Sequence, residues 1–412
     1  MPSFSTSLSG LNSESQALSV ISNNLANLNT VGYKSASPQF QDLFYQQIGS
    51  SGNGNPIQVG VGATVGSIPA TFTQGSVEST GVPTDVAIQG NGFFVLDNNG
   101  TRSYTRAGDF TVGSNGELLT SDGSAVLGYP AVNGTINASQ TLAPLVISTG
   151  QLSPPQATSN VSVTMNLDAG APVGGTFSTP VTVYDSLGGT HVLTYNFTKT
   201  AANKWSYTIT IPAADVGTTG NPVTVNSGTL TFNGSGQLTS PTGNVTGITV
   251  SGLADGASNL AFNWDLYDST NSPIVTQASS PSAASSTQQD GYPSGTLASF
   301  NIQGDGTIQG IFSNGQTLAL GQLALATFAN QQGLVRNGSN EFLASLSSGT
   351  ANVGAPNTGG RGTLAGGALE QSNVDIATEF AQLILAERGY QANSRVVTTI
   401  DQVIQDAINM SQ

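Results

Sequence analysis

The residues able to do chemistry are few in this chain and widely spaced. There is one histidine, His191, in 412 residues, and there is no cysteine. An imidazole that binds a metal or relays a proton needs partners at ligand spacing. No second imidazole exists, and His191 opens the alternating run His191–Phe197, so a structural place on a strand is expected. Asp305, in Gly304-Asp305-Gly306, suggests a calcium loop, but no second and third acid follow at the required spacing. A turn is expected there. Gly90-Asn91-Gly92 lacks the lysine and following helix of a phosphate loop. The many serines include no Gly-x-Ser-x-Gly elbow, and the dispersed acids define no carboxylate pair. The expectation is a non-enzyme with no catalytic residue, cofactor or metal.

Composition excludes further classes. Charged residues make up 8% of the chain, against roughly 25% in an ordinary globular protein. Nine basic residues (Lys34, Lys199, Lys204 and six arginines) stand singly, and the net charge is −14. No basic patch exists for nucleic acid or anionic lipid. Lack of cysteine rules out disulfides and thiolate zinc sites. No run reaches 18 apolar residues, so no membrane insertion is expected. Lys34 is the first basic residue, so the N-terminus lacks a charged signal-peptide n-region. Export by a route without a cleaved signal is the expectation.

These few residues sit on two kinds of sequence. Residues 4–28 and 374–408 read as amphipathic helices, about 37 and 52 Å long at the helical rise. In the first, Phe4, Leu11, Leu18 and Leu25 recur every seven, Ile21 and Leu28 fall three further on, and Leu8 widens the stripe. Asn29 and then Gly32 mark its end. Ser372 is the expected N-cap of the last helix, with Asp375 as its capping-box acid. Ile376, Leu383, Tyr390, Val397 and Ile404 then recur every seven, with Ala386, Ile400 and Ala407 three later. One helix this long does not stand alone in water; docking must stabilise it. Pairing the two would bury one seam, leaving the rest for neighbouring subunits. The expected assembly interface is therefore Phe4, Leu8, Leu11, Leu18, Ile21, Leu25, Leu28, Ile376, Leu383, Tyr390, Val397, Ile400 and Ile404. Gly10 and Gly389 interrupt the helices, either as tolerated defects of about 1 kcal/mol or as points of close helix approach. Arg388 and Arg395 read as a solvated or lumen-facing row, with pairing to Glu14 or Glu387 as the alternative.

Between the helices the chain is rich in Gly, Ser and Thr and reads as strands and turns. Residues 31–70 look linker-like, with apolar anchors at Phe40, Phe44 and Ile48 and a flexible turn at Ser50–Asn55. Asp85–Ile88, Gly90–Gly92 and Phe93–Leu96 suggest a hairpin, with one of Phe93 and Phe94 inward and the other outward. Gly354–Gly367, with six glycines, reads as a hinge into the last helix. The expected organisation is an N-terminal inner helix (1–30), a linker (31–70), a β-domain in two parts (71–144 and 285–360), an inserted outer β-domain (145–284) and a C-terminal inner helix (361–412). The fold class is multidomain and mainly β, with nested β-domains and long terminal α-helices that form a coiled-coil-like inner domain.

Several segments resemble the flagellar axial-protein family of rod and hook subunits. They are Ser9-Gly10-Leu11 with Ile21–Lys34 (ISNNLANLNTVGYK), Asp85–Leu96 (DVAIQGNGFFVL), Tyr104–Phe110 (YTRAGDF) and Ala368–Asp375 (ALEQSNVD). Gly333–Asn340 (GLVRNGSN), Glu379-Phe380 and Arg388–Ser394 (RGYQANS) are similar to the hook branch rather than the rod branch. The resemblance covers about residues 1–145 and 285–412. It implies an extracellular structural subunit, exported unfolded by the flagellar type III apparatus, that polymerises helically on the rod proteins beneath a hook cap and meets hook–filament junction proteins. The tube would be curved and would act as a universal joint, lined inside by the terminal helices. The alternatives are a distal rod-type subunit and, in another class, an extracellular β-rich adhesin or carbohydrate-active protein.

Overall fold

Among the described residues, two α-helices, α1 (Pro2–Ala26) and α2 (Ile376–Met410), bracket strands, turns and two short 3-10 helices. The computed structural model describes residues 2–148 and 150–410. No described helix is long and apolar enough to cross a membrane. The chain divides into two units, one of Met1–Ser148, Ser299–Gly310 and Leu318–Gln412, the other of Thr149–Ala298 and Ile311–Thr317.

In the first unit, the strand Phe93–Asn98 turns through Asn99 and Gly100, both at positive φ, into Thr101–Thr105. A two-residue Asn-Gly turn matches the strand twist and fixes this register. The hairpin expected one element earlier does not form. Val86–Gln89 pairs instead with Thr363–Gly366, almost three hundred residues away. Gly90 and Gly92 redirect the chain rather than close a hairpin. The same pairing removes the expected hinge, because Thr363–Gly366 and Ala368–Glu370 are both laddered strands. Phe93 and Phe94 are both fully buried. Phe93 joins Phe72, Phe328 and Phe342, while Phe94 meets Phe110 edge-on with centroids 5.0 Å apart. The strand is covered on both faces, so alternation does not sort its side chains.

The second unit has two five-stranded sheets. In one, Thr176–Tyr184, Thr190–Ala201, Lys204–Ile211, Val223–Phe232 and Leu238–Ser240 follow one another antiparallel. In the other, Asn160–Asp168 lies beside Leu260–Asp265, Val275–Ala278 and Ala283–Gln289. Strict alternation buries Val161, Val163, Met165 and Leu167 from one sheet and Leu193, Tyr195 and Phe197 from the other in a single core. Trp264 sits within it against Tyr195 and Tyr207.

Residues 31–70 are more ordered than a linker. Gln39–Asp42 pairs with Ala63–Ser67, and Tyr45–Ser50 pairs with Pro56–Gly60, so residues 39–67 form a hairpin-like arm. Its short, Gln- and Gly-rich strands carry a weak period-2 signal, which is why the sequence reads as a connection.

Candidate assembly interface

The two helices run antiparallel. Asn24 faces Glu379, Ala17 and Ile21 pack with Ala386, Glu14 reaches Gly389, and Gly10 lies under Asn393. The buried positions of α1 are Ser7, Ser13, Ala17, Ile21 and Asn24, a set of mostly small and polar residues. A Cβ built on Gly10 would fall 2.7 Å from Asn393 Nδ2, and one on Gly389 would fall 2.7 Å from Glu14 Oε1. Both glycines therefore mark close helix approach. Small residues let the backbones come near, and the large aliphatic residues are displaced to the flanks.

That displacement decides where the expected interface residues lie. Ile21 alone is buried. Leu11, Leu18, Leu25, Leu383, Val397, Ile400 and Ile404 are half-buried. Leu28 is also half-buried but lies beyond the end of α1 at Ala26. Phe4, Leu8, Ile376 and Tyr390 are exposed. Phe380, Ile384, Leu385, Val396 and Val403, none of them among the expected interface residues, add further exposed apolar surface on α2. Of the heptad residues, Ile21 lies in the seam and Leu18, Leu25 and Leu383 pack against it without being enclosed by the chain's own helices.

The N-cap of α2 is Asp375, one residue before the helix. Its Oδ1 accepts from Thr378 N at 2.7 Å, as a capping acid does. Ser372, the expected cap, instead accepts from Val374 N.

The arm rests on α1. Ser9 Oγ accepts from Ala63 N at 3.2 Å, and Ser13 Oγ donates to Ala63 O at 3.0 Å. Beyond this foot the arm is bare. Tyr45–Ser50 and Pro56–Gly60 are exposed at every position, and Phe44 is 91% exposed. Phe40, Tyr45, Ile48 and Ile57 are exposed too. A two-stranded hairpin is marginal in water, and this one presents aromatic and β-branched side chains to solvent.

A polar junction holds helices and arm in place. Asn24 Nδ2 donates to Ala36 O at 2.8 Å and to Glu379 Oε1 at 2.9 Å, while its Oδ1 accepts from Ala36 N. Asn373 ties Ser35 N and Thr71 O. Asn340 donates to Val31 O, and Arg336 donates to Lys34 O with its guanidinium 5.2 Å from the Tyr33 ring. At the centre Glu370, fully buried, meets Lys34 and Arg106. Gly32 sits at positive φ, and a Cβ there would strike Ala107 N at 2.6 Å. These residues belong to the separate motif segments of the sequence, and the fold brings them to one place. Periodicity could not find them, because their signal is identity at fixed positions rather than pattern.

Known protein families match along the chain. The flagella basal body rod protein model matches residues 4–34, the flagellar hook protein FlgE/F/G D1 domain 87–166, the flagellar basal body protein FlaE D2 domain 151–292 and the flagellar basal body rod FlgEFG protein C-terminal model 365–410. Flagellar hook protein FlgE of Treponema pallidum is 35% identical over 462 residues, with all of both chains covered. That of Salmonella typhimurium is 37% identical over 429 residues, covering 99% of this chain and 100% of its own. That of Escherichia coli is 36% identical over 421 residues, with 99% of each covered. A solved structure, Helicobacter pylori flagellar hook protein FlgE2, aligns at a TM-score of 0.49 and 15% identity, covering 71% of this chain and 99% of its own.

Proposed function

Because the chain belongs to the flagellar hook protein family, we propose that the flanks of its helix pair and its bare arm are the surfaces on which copies stack. The chain is a structural subunit of the bacterial flagellar hook. The rod-type alternative is disfavoured by full-length identity to hook proteins and by the D2-domain match over 151–292. The adhesin alternative has no counterpart among these relatives.

One observation carries the stacking proposal. The chain's own helix pairing centres on Ala17, Ile21 and Ala386, with Leu18, Leu25 and Leu383 only half-buried against them, and leaves Phe4, Leu8, Phe380, Ile384 and Leu385 exposed, while the arm exposes Phe44 and Ile48. Exposed apolar surface of this extent marks an interaction face. A repeated head-to-tail contact that does not close on itself generates a tube. In this reading Leu11, Leu18, Leu25, Leu28, Val397, Ile400 and Ile404 are completed by neighbours, the helices form the coiled-coil-like inner wall and the β-units lie outside in nested order. The tube is curved and passes torque as a universal joint. It grows on rod proteins beneath a cap and ends at junction proteins outside the cell. Helices that gain most of their cover from neighbours also suit passage through the type III apparatus before folding.

Deleting residues 1–30 tests the proposal. The expected product is a soluble monomer that keeps its β circular-dichroism signal and forms no tubes by electron microscopy. Tubes of normal appearance from that truncation would overturn it.

A further inference from the structure

We propose that the second unit carries a divalent-metal site formed by His191, Asp185 and Asp255, suited to Zn²⁺ or a similar cation that accepts mixed nitrogen and oxygen ligands. His191 Nε2 lies 2.8 Å from Asp185 Oδ2 and 3.8 Å from Asp255 Oδ2. The three atoms lie within 4.8 Å of one another. Ligands bound at about 2.0 Å in a tetrahedron stand about 3.3 Å apart, and the two observed separations bracket that edge.

Each of the three groups is held by its other polar atom, leaving the ligand atom to face the common point. Asp185 Oδ1 accepts from Leu187 N at 2.7 Å and from Gly189 N at 3.0 Å. Asp255 Oδ1 accepts from Ala257 N at 3.0 Å. His191 Nδ1 lies 3.1 Å from Asp215 Oδ2. A carboxylate on Nδ1 orients the ring so that Nε2 faces Asp185 and Asp255, as outer carboxylates orient metal-binding imidazoles. The glycine beside the site serves the same end. A Cβ on Gly189 would fall 2.4 Å from Asp185 Oδ2 and 3.0 Å from Asp255 Oδ2, yet its backbone is not left-handed. The missing side chain leaves room between the carboxylates rather than permitting a turn.

Charge supports a dication over a proton alone. Three carboxylates, Asp185, Asp215 and Asp255, surround one imidazole. Protonating the ring leaves two negative charges uncompensated, whereas a dication that displaces the Nε2 proton leaves one. The acids come from residues 185, 215 and 255 and converge only in the fold, which is why a lone histidine in a strand run reads as structural.

The test is titration of the full-length monomer with Co²⁺ alone, followed by visible absorbance, and with Zn²⁺ alone, followed by calorimetry. One metal per chain is expected at pH 8, reversed by chelator. Asp255→Asn, on the more exposed ligand, and His191→Gln are each expected to weaken binding at least about tenfold. Asp305→Asn, in the exposed Gly-Asp-Gly turn, should bind as the parent does. Should His191→Gln fail to fold, Asp255→Asn alone decides. No saturable Co²⁺ band at pH 8, or equal binding by Asp255→Asn and the parent, overturns the site.

Discussion

Lys34 Nζ lies 2.5 Å from Glu370 Oε1, and neither side chain is exposed to solvent. Lys34 follows the end of α1 at Ala26, and Glu370 precedes the start of α2 at Ile376. The pair thus clasps the two chain segments that lead into the helices. Arg106 Nη1 reaches the other carboxylate oxygen at 3.2 Å, and Gly75 N donates to Oε1 at 2.9 Å. Burial pushes Lys34 and Arg106 below their usual pKa ranges, against the pull of Glu370. Two cations share one anion, so the cluster is asymmetric. Glu370→Gln should destabilise the first unit by about 3–5 kcal/mol, because it leaves two buried charges without a counter-ion. Lys34→Met should cost less, because Arg106 and Glu370 remain paired. Urea denaturation of the monomer measures both, and a larger loss for Lys34→Met would contradict this account.

The two helix glycines should respond differently to alanine. Replacing glycine within a helix gains about 1 kcal/mol of propensity. At Gly389 the new methyl meets the carboxylate end of Glu14, a long side chain free to swing away. At Gly10 it meets the whole amide of the shorter Asn393, at 2.7 to 3.0 Å. Gly389→Ala should therefore be neutral or stabilising by up to about 1 kcal/mol, while Gly10→Ala should gain less or lose. Leucine at either position should pry the helices apart. Thermal melts followed at 222 nm report the order, and a Gly10→Ala variant that outperforms Gly389→Ala would refute the close-approach assignment.

The helices, the mainly β interior and the family were legible because each has a strong local or identity signal. Period-seven apolar residues marked α1 and α2, but the period could not say which face meets the partner. Gly10 and Asn24 carry no hydrophobic signal, yet they meet α2 alongside Ala17 and Ile21, because close approach favours small groups and hydrogen-bonded amides. Val86–Gln89 reads locally as half of a hairpin because its true partner, Thr363–Gly366, is distant in sequence. The arm was hidden for a related reason. Its strands bury nothing within the chain, so no alternation between core and solvent was written into residues 45–50 or 56–60.

Acid should first strengthen the helix pair and then weaken it. Glu379 is buried at the seam, with Oε2 lacking a hydrogen-bond partner among the described residues. Burial raises its pKa above the usual value, although Asn24 partly offsets this. Burial likewise raises Glu14. A carboxyl whose folded pKa is raised takes up a proton more readily when folded, so stability increases as pH falls through that raised value. Asp375 has the opposite sign. Hydrogen bonding to Thr378 lowers its pKa, so the cap is lost only as pH falls below the ordinary aspartate range. Protection factors for α1 and α2 amides, corrected for intrinsic exchange, should be higher at pH 5 than at pH 7 and should fall again near pH 3. Glu379→Gln should remove much of the first change, and an unchanged profile in that variant would reject the assignment.

The arm separates assembly from folding most cleanly. Phe44 is 91% exposed and Ile48 is 62% exposed, so neither contributes appreciably to the monomer's packing. Serine at both positions should change monomer stability by no more than about 0.5 kcal/mol each. Solubility should rise, since the substitutions dissolve an apolar patch. In a polymer the same side chains would be enclosed, and each enclosed Phe or Ile contributes about 1.5–3 kcal/mol. A tube repeats its contacts at every subunit, so even one such loss should raise the critical concentration for assembly about tenfold or more, at 1.4 kcal/mol per decade. The measurement pairs monomer melting temperature with sedimentation of tubes across protein concentration. An unaltered melting temperature with a raised critical concentration is expected for Phe44→Ser/Ile48→Ser. If both quantities stay at the parent values, the arm faces solvent in the tube and the contacts between copies lie elsewhere on the helix flanks.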